Sequence, residues 1–188
     1  MSDTPRNLWA PWRIDYLEGL AERTPSPGAP PTLERGSGCF LCDATRADLM
    51  PQEAEDRLVL LRDERGTLML NRYPYANGHL LAVPPEHTPS LSALSPSARS
   101  GLIELAALAE RLLSRAVHAQ GVNVGMNLGR CAGAAEPGHA HLHAVPRWSG
   151  DVNFMPTTAG VRVVPQSLED SYRRLRETLA QEAQAPPS

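Results

Sequence analysis

The sequence predicts an α+β domain: an antiparallel five-stranded sheet with two main helices set apart from it, plus an N-terminal strap. Three observations carry this. The apolar runs Leu58–Arg62 and Thr67–Leu70 flank Asp63-Glu-Arg-Gly66 and read as a hairpin. Leu102, Leu105, Ala109, Leu112 and Ala116 recur at three- and four-residue spacing, one apolar stripe of a helix. Histidine and apolar residues alternate through His139–Val145, the period of a strand with two unlike faces.

The elements follow in order. Leu8-Trp-Ala-Pro-Trp-Arg-Ile-Asp-Tyr16 holds two of the three tryptophans and reads as a strap that docks on the main domain. Thr24 to Gly38 is a loop by its Pro, Gly and Ser content. After the hairpin, Asn71–Gly78 is a loop, and His79–Val83 is a strand stopped by Pro84-Pro85. Ser95-Pro96 opens the first main helix as N-cap and first-turn proline, and Gly121 ends it. Val122–Leu128 and His139–Val145 are strands on either side of the small-residue loop Gly129–Gly138. Ser167–Gln184 is the last helix, with Leu168, Tyr172, Leu175 and Leu179 on one side, before the tail Ala185-Pro-Pro-Ser188. The chain thus divides into 1–38 (strap and linker), 39–155 (main domain) and 156–188 (helical extension and tail).

Composition excludes several function classes. The 188 residues are 41% apolar with a net charge of −3, enough for one core and no basic footprint for nucleic acid or a membrane surface. All 18 basic residues are arginine. Without lysine there is no Walker A lysine, no Schiff base and no kinase-type strand lysine. No stretch reaches the ~20 apolar residues of a membrane span. No signal peptide is visible, and the three cysteines are too few for a disulfide scaffold. A reducing cytoplasm is the simplest compartment.

His139-Ala-His-Leu-His143 is the most informative segment, holding half of the six histidines. A period of two puts the three imidazoles on one face, ~6.6–6.8 Å apart. The row reads either as a metal site or as a site of covalent catalysis through a neutral imidazole nitrogen. The surroundings favour catalysis on a phosphate. Gly129–Gly138 offers backbone N–H groups, Asn127 an amide donor and Arg147 a cation, whereas Glu136 and Asp151 are the only nearby carboxylates.

These residues resemble the histidine triad (HIT) family. His139-Ala-His-Leu-His-Ala-Val145 is similar to its His-φ-His-φ-His-φ-φ pattern, φ being apolar. Asn71-Arg-Tyr-Pro-Tyr-Ala-Asn-Gly-His79 resembles its Asn-Arg-x-Pro-x-x-x-Gly-His segment, and Met126-Asn-Leu-Gly129 its phosphate loop. Pro146-Arg-Trp-Ser-Gly-Asp-Val-Asn-Phe154 and the N-terminal Leu-Trp-Ala-Pro-Trp-Arg resemble a bacterial branch related to diadenosine tetraphosphate hydrolases and phosphorylases.

The resemblance implies a catalytic triad of His139, His141 and His143. In it His141 attacks the α-phosphorus to form a nucleotidyl-histidine, and His143 hydrogen-bonds the phosphate and assists proton transfer. It further implies Asn71 near the ribose, His79 near the nucleotide or supporting the site, Asn127 and Gly133 on phosphate, and Trp148 along the polyphosphate or base. Many members carry Ser or Gln just before the triad, where this chain has Ala134 and Ala135; Glu136 is the candidate substitute. A homodimer is also implied.

Cys39-Phe-Leu-Cys42 alone is ambiguous between zinc and redox use. His87 and His139 are candidates to complete a tetrahedral Cys₂His₂ zinc site, structural rather than catalytic. If His139 binds zinc, it is no proton relay. Cys131 receives no role. The leading function is cleavage of a dinucleoside polyphosphate through His141, with water or phosphate as the second acceptor. The alternatives are a nucleoside phosphoramidase with the same nucleophile, and a non-catalytic nucleotide-binding module.

Overall fold

The computed structural model describes residues 38–151 and 166–184. The expected strap, most of the linker, the tail and the motif residues 152–154 lie outside the described residues. Strands β1 (Val59–Asp63), β2 (Gly66–Leu70), β3 (Leu80–Val83), β4 (Gly121–Met126) and β5 (Leu142–Arg147) form one sheet in the order β1-β2-β3-β5-β4. Every neighbouring pair is antiparallel. Helices α1 (Phe40–Thr45), α2 (Pro51–Asp56), α3 (Pro96–Ala116) and α4 (Leu168–Gln184) complete the described part, so the expected α+β class and five strands are found.

The pleat divides the core in two. Leu68, Leu70, Leu80, Ala82, Leu142 and Ala144 face α3 and α4 and meet Leu102, Leu105, Leu112 and Leu175. The other face carries Val59, Met69, Leu81 and Val83, which pack on Cys39, Leu41, Cys42, Ala44 and Leu49. On β5, Leu142, Ala144 and Pro146 are buried and His143, Val145 and Arg147 half-buried, which is the predicted alternation. A slip of one residue would drive His143 into the helical core and expose Leu142, so burial fixes the register.

Ser95 caps α3 as expected: its side chain accepts from the Ala98 N–H, and Pro96 fills the first helical position. Two glycines set close approaches. Gly66 has φ +129°, and a Cβ there would collide with the Val83 carbonyl oxygen. Gly101, inside α3, lies against the hairpin turn, where a Cβ would stand 2.5 Å from the Arg65 carbonyl oxygen.

The structure corrects several boundaries, among them the start of β3, which is Leu80 rather than His79. Helix α3 ends at Ala116, not at Gly121, because His118 takes the left-handed turn at φ +53°. Gly121 instead opens β4, which stops at Met126. Strand β5 begins at Leu142 rather than His139 and runs on through Pro146. Pro146 is tolerated because β3 pairs only with Leu142–Ala144, so no ladder bond is lost on that side. Helices α1 and α2, six residues each, are too short to show a period. The latter rests on Pro51 at its first turn and on Glu53, which accepts the Met50 N–H at 3.1 Å.

Replacing Gly101 with Ala is expected to lower stability by about 1–3 kcal/mol, since the clash is with backbone. A urea-denaturation midpoint reads this; an unchanged midpoint would mean that the hairpin does not rest on α3 at that point.

Candidate functional site

The face of β5 opposite the helices divides the histidine row into two sites. His139 turns toward the Cys39–Cys42 turn of α1. Its Nδ1 lies 3.6 Å from Cys39 Sγ and 3.5 Å from Cys42 Sγ, and its Nε2 donates to the Pro84 carbonyl at 3.1 Å. His87, from the turn after β3, brings Nδ1 to 3.0 Å from Cys42 Sγ. One donor atom from each of Cys39, Cys42, His87 and His139 falls within a 4.8 Å cluster. All but His87 are buried.

Two thiols and two imidazole nitrogens at this spacing are the donor set of a structural tetrahedral zinc site. The His139 Nε2–H to Pro84 contact leaves Nδ1 as a lone pair facing the sulfurs, the orientation such a ligand needs. Burial pushes the Cys39 thiol up to about 11, so as a neutral thiol it is at home there and needs a cation to ionise. Gly138 lies against the same cluster: a Cβ there would stand 3.5 Å from His87 Nε2.

The second site is a chain of three imidazoles whose protons can be assigned from obligatory donors. The Tyr75 backbone N–H donates to His79 Nδ1 at 3.1 Å. Asn71 Nδ2 approaches the same atom at 3.2 Å. His79 Nδ1 is therefore an acceptor, and the proton of the neutral ring sits on Nε2. That Nε2 lies 3.0 Å from His143 Nδ1 and donates to it, which places the His143 proton on Nε2. His143 Nε2 is buried and has no hydrogen-bond partner among the described residues. An orphaned N–H of this kind is costly unless a ligand meets it. Beside it, with ring centroids 4.9 Å apart, lies His141. His141 Nδ1 donates to the His139 carbonyl at 2.9 Å, which leaves His141 Nε2 with an unprotonated lone pair.

One ring thus offers a nucleophilic lone pair and its neighbour an unused donor. Burial first, and the neighbouring His141 second, pull His143 down to about 4. It therefore stays neutral at pH 7 and keeps its single Nε2 proton. A cleft of about 230 Å³ opens over His143, lined by Tyr75, Asn127 and the β4 residues Asn123 to Met126. A larger groove of about 620 Å³ lies between α2 and α4, and no histidine lines it.

The other residues singled out in the sequence distribute as follows. Asn71, His79 and Asn127 join the reactive group, with Asn127 Nδ2 about 4.0 Å from where a Cβ on Gly133 would lie. Gly133 departs from expectation: its N–H is spent on the Arg130 carbonyl at 3.0 Å. Ala132 and Ala134 bond to the Gly129 carbonyl, each at 3.2 Å, so none of these three amides is free for an anion. The cause is the tight 3₁₀ turn at Arg130–Ala132, held by left-handed Gly129 and Gly133.

Trp148 also departs. Its indole N–H donates to the Val117 and His118 carbonyls at 3.2 and 3.0 Å, so it closes the C-terminus of α3 instead of lining the cleft. Arg147 is committed to Asp151 at 2.6 and 2.8 Å and to Asn123 at 2.9 Å, and it holds Asp151 down at about 2. His139 has both ring nitrogens engaged, which removes it from proton transfer. Cys131 is exposed. Tyr75 is the site residue that sequence reasoning passed over; its only signal was an aromatic four positions before His79.

A HIT domain family profile matches residues 52–150. The chain is 35% identical over 174 residues to an AP-4-A phosphorylase of Mycobacterium tuberculosis, covering 92% of this chain and 84% of that protein. It is 29% identical over 93 residues to an asymmetrical bis(5'-nucleosyl)-tetraphosphatase of Schizosaccharomyces pombe, about half of each chain (50% and 50%). In structure it is similar to a Zn-bound histidine triad family protein from Mycobacterium smegmatis. The TM-score is 0.56 at 31% identity, over 67% of this chain and 86% of that one.

Titration of ring-labelled histidine by NMR is expected to show His143 neutral, with its proton on Nε2, from pH 8 down to about 5 and a midpoint near 4. Since unfolded histidine titrates near ~6.5, this group's contribution to stability is complete above that pH and is lost as the pH falls toward 4. A midpoint at 6.5 or above would mean that the ring is solvated or paired with an anion.

Proposed function

This chain belongs to the HIT domain family, and on that footing we propose that it is an enzyme that cleaves dinucleoside polyphosphates of the diadenosine tetraphosphate class. The observation that carries the proposal is the His141 Nε2 lone pair beside the orphaned His143 Nε2–H. Nucleophile and donor are set by backbone and side-chain hydrogen bonds before any substrate arrives, which is the preorganisation that phosphoryl transfer requires.

In the first step His141 Nε2 bonds to the α-phosphorus, and the bond from that phosphorus to the bridging oxygen breaks. The positive charge that develops on the imidazole is met by the His139 carbonyl through Nδ1–H. The departing polyphosphate leaves as the anion and takes a hydrogen bond from His143 Nε2–H. In the second step an acceptor oxygen bonds to the phosphorus of the nucleotidyl-histidine, the phosphorus–Nε2 bond breaks with its electron pair returning to His141 Nε2, and the proton of the acceptor passes to the released polyphosphate anion or to solvent. Asn71 lies beside the relay, its Nδ2 on His79 Nδ1 and its Oδ1 accepting the Tyr73 N–H, and is assigned to the ribose side; Asn127, on the cleft wall, is assigned to the phosphate oxygens. Inorganic phosphate is the proposed acceptor, because the relative matched over 92% of this chain is named a phosphorylase. Water is the alternative.

We further propose that Cys39, Cys42, His87 and His139 hold zinc. When bound, the ion would supply charge and rigidity to the start of the triad segment. The chemistry remains at His141, whose reacting nitrogen is not part of that cluster. A homodimer joined along the far edge of β4 is also proposed. That strand pairs only with β5 among the described residues, and Val124 on it is 49% exposed.

Incubation with diadenosine tetraphosphate, with and without phosphate, tests the reaction. ADP plus ATP formed only with phosphate is expected. AMP plus ATP without phosphate would assign water as acceptor, and intact substrate under both conditions would overturn the proposal. Replacing His141 with Asn is expected to cut turnover by on the order of 10⁴-fold or more while nucleotide binding persists. Metal analysis is expected to find about one zinc per chain, and Cys42→Ser to lose it; a metal-free protein of unchanged thermal midpoint would refute the zinc site.

A further inference from the structure

Tyr75 does more than donate its backbone N–H. It belongs to the loop between β2 and β3, and its ring lies over two members of the relay. The centroid separation is 4.7 Å to His79, tilted by 38°. To His143 it is 5.8 Å at 21°, a stacked arrangement. The ring remains 45% exposed, so one face covers the imidazoles and the other meets solvent. His79 beneath it is fully buried at 0%. A flat, half-exposed aromatic over one buried and one half-buried imidazole shields their shared hydrogen bond from the solvent side while keeping an apolar body and a polar tip at the surface.

We propose that Tyr75 is the positioning residue of the histidine relay: its N–H sets which nitrogen of His79 carries the proton, and its ring keeps the His79–His143 hydrogen bond dry and in one orientation. The alternative for each neutral imidazole is a second tautomer, which water at His79 Nδ1 or His143 Nδ1 would permit. In that tautomer His143 Nε2 loses its proton, and the donor beside His141 disappears.

Among the described residues, the ionisable groups facing His143 are few. The β2–β3 loop contributes Tyr75 and His79, and β5's own approach contributes His141. Strand β3 places Leu81 opposite it, and β4 places Gly125, with Asn123, Met126 and Asn127 along the cleft. Neither neighbouring strand brings a carboxylate or guanidinium to its face, so covering the ring governs its proton chemistry. The catalytic consequence rests on the nucleotidyl-transfer reading above; the tautomer itself does not.

The test compares wild-type protein with Tyr75→Phe, Tyr75→Leu and Tyr75→Ala, each labelled with ¹⁵N in the histidine rings. Long-range ¹⁵N–¹H spectra report which nitrogen holds the proton. Wild type and Tyr75→Phe are expected to show a single Nε2–H form of His143. In Tyr75→Ala, His143 is expected to mix tautomers and to titrate at least one pH unit higher. Its kcat is expected to fall about tenfold at nearly constant KM, short of the ~10²–10⁴-fold of losing a general acid outright. Tyr75→Leu, apolar but not flat, should fall between, with an amide spectrum that certifies the fold. Unchanged tautomer and midpoint in Tyr75→Ala would overturn the proposal. So would a KM rise with the histidine spectra intact, which would make Tyr75 a substrate platform. If wild type cleaves no dinucleoside polyphosphate, the reaction proposal fails while the ring spectra still decide the role of Tyr75.

Discussion

The hydrogen bond from His141 Nδ1 to the His139 carbonyl, 2.9 Å long, is the contact on which the reactive centre depends. It decides which His141 nitrogen has a lone pair, and it depends on where the His139 backbone is held. That backbone is anchored through its side chain: Nε2 on the Pro84 carbonyl, Nδ1 in the thiol cluster. The Ala140 N–H adds a bond to the Thr88 carbonyl at 2.7 Å. The cysteine pair, remote in sequence, therefore acts on the nucleophile through one residue. Zinc in that cluster would stiffen the anchor without touching the chemistry.

The sheet explains why the two sites lie side by side. Leu142 and Ala144 lock β5 to the helical core, so the intervening His143 must face the opposite side. There β3 supplies Leu81 opposite it and, just before its first residue, His79. Upstream of Leu142 the ladder has not begun, and the chain is free to send His139 toward α1. The approach to the strand thus carries His139 to the metal cluster and His141 to the relay, while the strand itself carries His143.

Much of this was legible in the sequence. The hairpin, the long helix with its Ser95-Pro96 start, the alternation from Leu142 onward and the Cys₂His₂ set all rest on local periodicity or on ligand chemistry, whereas the single histidine face is divided because β5 begins only at Leu142 and His139 turns to the thiol cluster. What was not legible depended on tertiary contacts. The fate of Trp148 depends on carbonyls thirty residues away. The family resemblance puts the Gly133 amide on phosphate; here the 3₁₀ turn consumes it. The left-handed His118 ended α3 before the glycine that promised to. Tyr75 carried no signal beyond its place four residues before His79, since stacking on two histidines from separate segments leaves no trace in spacing.

The central claim is that His141 Nε2 forms a covalent bond to the substrate's α-phosphorus. The most direct test is to quench the enzyme in alkali during turnover of diadenosine tetraphosphate and sequence the peptide spanning the triad by mass spectrometry. The account predicts an adenylyl group on His141 and on neither His139 nor His143. Turnover without any adduct, or an adduct on His143, would contradict it.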